Sequence, residues 1–214
     1  MKSDTVDALL VLVLLLNFFA LGTSRMRAVI NATALQGVVL GIIAVLAHQQ
    51  YTLRPLLIAG GAALIKGIFI PGMLLRAMRD VAIRREIEPV IGYVSSLVAG
   101  AIATGVAILF ARTLPLAEEN VGSLLVPASL ATVLTGFIIL TTRRKAITQV
   151  AGYLVLENGI FIMGLTLVDA MPFLVEVGVL LDLVVGIFVM GIMIYQINRE
   201  FSTVDTTRLA DLKE

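Results

Sequence analysis

The sequence predicts an all-α polytopic membrane protein with seven transmembrane helices, built as two parallel three-helix repeats joined by an extra helix. Three observations carry this expectation. Apolar residues make up 59% of the chain and charged residues only 14%, against roughly 25% charged in a soluble domain. The mean hydropathy is +1.02. The apolar residues gather into runs at about 8–24, 28–47, 56–75, 90–111, 121–141, 147–168 and 173–197, most of them near the ~20 residues that a spanning helix needs. Runs so long and continuous read as helices, because backbone in lipid must satisfy its own hydrogen bonds.

The first run is not read as a secretory leader. Asp4 and Asp7 offset Lys2, whereas a leader opens on a basic segment. The second run carries Gly37 and Gly41, a spacing that lets helices approach closely, together with Gln36; His48 falls at its headgroup end. In the third, Pro71 removes a backbone donor and frees the carbonyl of Gly67, which predicts a kink beside Lys66. The polar link from Arg76 to Pro89 reads as a short surface helix. The fourth run repeats small residues at Gly92, Ser96, Gly100 and Thr104. The fifth, sixth and seventh follow with short connections, and the polar tail reads either as a short final helix capped by Asp205 or as a partly ordered tail.

Basic residues set the orientation. Arg25 and Arg27 follow run 1, Arg76, Arg79, Arg84 and Arg85 follow run 3, Arg143, Arg144 and Lys145 follow run 5, and Arg199, Arg208 and Lys213 follow run 7. The opposite side has only Lys2, Arg54 and Arg112. The positive-inside rule then places the N-terminus outside and the C-terminus in the cytoplasm of a bacterial or archaeal cytoplasmic (inner) membrane.

The chain also matches itself 119 positions later. Gly67-Ile68-Phe69 with Gly72 falls on Gly186-Ile187-Phe188 with Gly191, and Thr23, Arg25 and Ala32 fall on Thr142, Arg144 and Ala151. Parallel repeats of this kind occur in membrane proteins. The expected units are residues 1–88, a connecting helix over 89–112, and a second unit over 113–214. Where the repeat fails it is informative: Glu157 falls on Val38 and Asp182 on Ala63, so the second unit holds the acids and the first holds Lys66.

Those three residues are the candidate site. Glu157 and Lys66 lie near mid-membrane by residue count, and Asp182 about one turn outward. An intramembrane charge is costly and is a functional hypothesis by default. Burial penalises the charged form, so a carboxyl there can accept and release protons. Glu157 and Asp182 are expected as consecutive stations of one proton path, with Lys66 biasing its far end. Glu176 reads as interfacial, and Asn158, about 100° around the helix from Glu157, points elsewhere.

Other chemistries lack residues. The chain has no cysteine and one histidine, so thiolate, iron–sulfur and multi-histidine metal sites are not expected. No phosphate loop or nucleophile motif is present, and the net charge of +1 gives no argument for nucleic acid. No catalytic residue, bound cofactor or metal is expected in this chain. A stand-alone secondary transporter and a structural membrane scaffold are the alternative readings.

Gly152-Tyr153-Leu154-Val155-Leu156-Glu157 resembles the acidic second helix of the K-type subunit of bacterial respiratory complex I and of the C subunit of multisubunit cation/proton antiporters. Asp182 with Gly186, and the exit Gln196-Ile197-Asn198-Arg199, resemble the third helix of that subunit. Here the second acid is aspartate where the small relatives usually carry glutamate. This likeness covers about residues 121–214. Length and the extra N-terminal half resemble component E of hydrogenase-4, in membrane-bound [NiFe] hydrogenase and formate hydrogenlyase-type assemblies. The resemblance implies a non-catalytic membrane-arm subunit of an oxidoreductase complex. Its partners would be antiporter-like membrane subunits, and nickel-iron, iron–sulfur or flavin groups would sit only in those partners. The acids would couple redox chemistry to proton or cation movement.

Overall fold

The computed structural model describes residues 2–47, 60–61, 64–80, 90–115 and 123–167, together with Met171, Val177, Gly178, Val184, Gly186 and Gly191. Among these residues the chain is helical, with six α-helices: α1 (Lys2–Gly22), α2 (Met26–Ala47), α3 (Ile70–Asp80), α4 (Tyr93–Ala111), α5 (Leu125–Thr142) and α6 (Ala146–Leu165). A π-helical turn, Ile65–Phe69, runs directly into α3. All but α3 are long and apolar enough to cross a membrane, which marks a multi-pass membrane protein. Of the seven expected spans, the third is described over the π turn and α3, which continues to Asp80 beyond the expected boundary. The seventh falls almost wholly outside the described residues.

Helices α5 and α6 pack most intimately, and glycines make this possible. A Cβ on Gly136 would lie 2.5 Å from the Leu156 nitrogen, one on Gly159 2.6 Å from the Val133 nitrogen, and one on Gly152 2.8 Å from Ile139 Cγ2. Any larger residue would force the two backbones apart. Around this pair, α1 packs on α2, α4 and α5, while α2 packs on α6, the π turn and α3. The expected stripe on α4 is used in part. Ser96 and Gly100 are buried, and a Cβ on Gly100 would meet Leu21 Cδ1 at 2.4 Å. Gly92 has no such neighbour.

The interior is layered along the helix axes. Near one end, Leu21, Met26, Ile30, Leu74, Ile139, Ile147 and Leu154 belong to one apolar cluster. Near the other, Leu10, Leu40, Ile43, Ala128 and Ile162 belong to a second. Between them every long helix of the four-helix centre contributes polar side chains: Asn17, Thr33 and Gln36, Thr132 and Thr135, Glu157 and Asn158, all buried. Lipid tails are as apolar as leucine, so apolar burial alone gives helices little reason to associate. Close glycine contacts and this polar layer supply the specificity.

Candidate functional site

Lys66 is placed by an irregularity in the backbone. Pro71 has no N–H, so the ordinary α-helical bond to the carbonyl of Gly67 cannot form. A kink was expected here; what the backbone forms is a π turn closed by the Ile70 N–H donating to the Ile65 carbonyl. Single π turns inside α-helices often mark functional sites. The turn is seated on α2 through paired glycines. A Cβ on Gly37 would lie 3.0 Å from the Lys66 carbonyl carbon, and one on Gly67 would lie 2.6 Å from Val38 Cγ2.

From there Lys66 reaches α6. Its Nζ lies 3.9 Å from Glu157 Oε1, with the side chains 9% and 2% exposed. The ammonium also lies 5.6 Å from the centroid of the Phe161 ring, one turn beyond Glu157. At this separation the attraction is about 4 kcal/mol for an effective dielectric of 20. The cost of removing both charges from water is of similar size, so the pair is held by the fold rather than being a free source of stability. Gly186 closes the site from a further segment. A Cβ there would lie 3.4 Å from Glu157 Oε1 and 3.7 Å from Ile70 Cδ1.

The geometry refines the sequence expectation. Lys66 was expected at the far end of an acid path, yet it is the direct neighbour of Glu157. Sequence distance to Glu157 gave no measure of this, because the contact depends on α2 packing against α6. Asp182, Glu176 and His48 lie outside the described residues. Asn158 points away from Glu157, as its helical angle requires.

Asn158 belongs to an arrangement that the sequence did not reveal. Its Nδ2 donates to Gln36 Oε1 at 3.4 Å. Gln36 Nε2 donates to Asn17 Oδ1 at 2.8 Å, and Asn17 Nδ2 donates to Thr132 Oγ1 at 2.9 Å. Thr132 in turn donates to the Ala128 carbonyl at 2.7 Å. One hydrogen-bonded chain therefore joins α6, α2, α1 and α5. The available signal was the amides Asn17, Gln36 and Asn158, set inside three apolar helices.

Arg143 is the second surprise. It was expected to face the cytoplasm as a loop residue, but it is buried at the end of α5. Its Nη2 donates to the Leu21 carbonyl at 2.8 Å, and its guanidinium carbon lies 5.4 Å from the centroid of the Tyr93 ring. Burial lowers the pKa of its guanidinium below the ordinary arginine value, an effect that Tyr93 opposes. The side chain ties the end of α1 to those of α4 and α5, while Arg25, Arg27 and Arg144 stay exposed around it.

No family model matches the chain, and no solved structure matches it. Similarity to hydrogenase-4 component E is local: 31% identity over 80 residues with the proteins of Escherichia coli K12 and of Shigella flexneri, covering 37% of this chain and 37% of theirs. The chain thus spans little more than a third of those relatives in the matched region. A far more extensive match is with "Uncharacterized protein Rv0085" of Mycobacterium tuberculosis, 32% identical over 191 residues, covering 88% of this chain and 87% of that protein. At that identity and coverage, the chain belongs to the same family as the Mycobacterium tuberculosis protein Rv0085.

Proposed function

We propose that this chain is a membrane-arm subunit of a hydrogenase-4-like or complex-I-like assembly, in which Glu157, Asp182 and Lys66 form part of a proton path coupled to redox chemistry. The observation that carries this is the buried Lys66–Glu157 pair at 3.9 Å in the middle layer of the bundle. A charge pair in lipid is expensive to keep, and proton transfer is a role that needs it. The local similarity to hydrogenase-4 component E supports the same reading. Under it, the chain holds no catalytic centre or cofactor of its own. Nickel-iron, iron–sulfur or flavin groups belong to partner subunits, and antiporter-like membrane subunits are its neighbours. The C-terminus lies in the cytoplasm.

The two-unit organisation is part of this proposal, and paired contacts support it. In the first unit Gly67 closes on Val38; at the positions 119 residues later, Gly186 closes on Glu157. Helix α1 turns into α2 at nearly the same relative position as α5 turns into α6. Lys66 of the first unit then serves the acid of the second.

The test is redox turnover and ion uptake measured together in proteoliposomes containing the purified complex. Glu157→Gln should leave assembly and dye-linked turnover largely intact and strongly reduce ion pumping. Unchanged pumping per turnover in both Glu157→Gln and Asp182→Asn would sink the reading. A structural scaffold is the second reading, favoured by the amide chain across four helices. Loss of the assembled complex in Glu157→Gln would support it.

A further inference from the structure

The ion that Glu157 exchanges follows from the position of its neighbour. We infer that Lys66 is a selectivity residue: its ammonium, 3.9 Å from Glu157 Oε1, excludes sodium and other metal cations from that carboxylate and leaves the proton as the exchanged ion. This rests on the proposed role of Glu157 and names its substrate.

A metal cation on Glu157 would stand within a few ångströms of the ammonium. At an effective dielectric of 20, repulsion over about 4–6 Å weakens its binding by roughly a hundred- to a thousandfold. A hard cation also needs several oxygen ligands at once. The lysine supplies none, and the Phe161 ring and Ile70 Cδ1 occupy further parts of the site. No cluster of three or more His, Asp or Glu side chains able to hold a metal occurs among the described residues.

The ammonium opposes an added proton by the same Coulomb repulsion, but the proton has two routes that a metal ion lacks. It needs a single oxygen, where it forms a covalent O–H bond. It can also pass within the pair: an Nζ–H bond breaks, an Oε–H bond forms, and a carboxylate and an ammonium become a carboxylic acid and an amine with no change in total charge. The nearby amides, Gln36 and Asn158, are neutral and engaged with each other. The segment that reaches the site carries two further acids in its sequence, Glu176 and Asp182, the latter four positions before Gly186.

The experiment uses the full-length chain in lipid nanodiscs. Infrared spectroscopy follows the carboxyl C=O stretch through a pH titration, in sodium chloride and in N-methylglucamine chloride of equal ionic strength. Glu157→Gln assigns the band, and Asp182→Asn separates the other carboxyl. In the unaltered chain the Glu157 midpoint should be the same in both salts. Lys66→Gln removes the charge and offers an amide oxygen, so its midpoint should fall as sodium rises, approaching a tenfold change in proton affinity per tenfold change in sodium. Lys66→Arg should behave like the unaltered chain. Sodium competition in the unaltered chain, absence of any titrating Glu157 band, or sodium insensitivity of folded Lys66→Gln would each overturn the inference. Should Lys66→Gln not fold, the unaltered chain and Lys66→Arg still decide it. Ion pumping that does not depend on Glu157 would instead overturn the proposed function and leave the infrared result standing.

Discussion

Removing Lys66 alone should destabilise the protein more than removing Lys66 and Glu157 together. The pair is separated by 3.9 Å with both side chains almost wholly covered, which corresponds to about 4 kcal/mol of attraction at an effective dielectric of 20. Lys66→Met loses that attraction and leaves Glu157 in the middle layer without its cation. Breaking a buried pair from one side typically costs about 3–5 kcal/mol. For a chain of this size each kcal/mol lowers Tm by about 2–4 °C, so Lys66→Met should melt about 10 °C lower. In Lys66→Met/Glu157→Leu both charges of the pair are gone, and apolar replacements of buried pairs are often neutral or stabilising. Its Tm should return most of the way to that of the unaltered protein. The assay is thermal unfolding of the four proteins of this cycle in one mild detergent. Additive effects, with the double variant falling by the sum of the two singles, would refute the argument that the two charges meet in the interior.

Further expectations concern packing, the amide chain and topology. Gly136→Ala forces a methyl to within 2.5–2.7 Å of Leu156 backbone atoms and should cost at least about 1–3 kcal/mol, whereas Gly105→Ala, with nothing within 4 Å, should melt at or slightly above the unaltered Tm. Equal Tm values for the two would count against the close α5–α6 crossing. Asn158→Leu leaves Gln36 Oε1 without its donor and should cost about 1–2 kcal/mol, partly recovered in Gln36→Leu/Asn158→Leu; a double variant worse than either single would show that the two amides do not share a bond. Gly186→Val crowds the Glu157 carboxylate and should lower pumping per turnover while the complex still assembles, so unchanged pumping would show that the space beside Glu157 is not used. Cysteines at Ser24 and Arg144, both exposed at the end bearing the α1–α2 and α5–α6 turns, should resist an impermeant label in sealed cells, and one at Thr113, at the opposite end, should react. The reverse pattern would invert the topology.

Much of this protein was legible one residue at a time. The energy of placing a segment in lipid is nearly additive in its side chains, so composition and run length alone pointed to membrane-spanning helices. The same reasoning singled out Glu157, because a charge at the middle of an apolar run is anomalous wherever the helix sits. Pro71 announced a backbone irregularity through its missing donor. The packing role of Gly100 was visible in its small-residue spacing, but the three glycines that join α5 to α6 were not separated from the many glycines that membrane helices carry.

What the sequence by itself determined is the class of the protein, the five described helices long and apolar enough to cross a membrane, and the acid that lipid would not otherwise admit. Only the tertiary structure decided that Lys66 pairs with Glu157, that four helices share one chain of amides and hydroxyls, and that Arg143 is buried. Each of these depends on how a helix is rotated and which neighbour it crosses. Among helices in lipid, rotation and crossing are set by a few close glycine contacts and interhelical hydrogen bonds, worth about 1 kcal/mol each. Such pairwise terms are nearly silent in the hydropathy of any single segment.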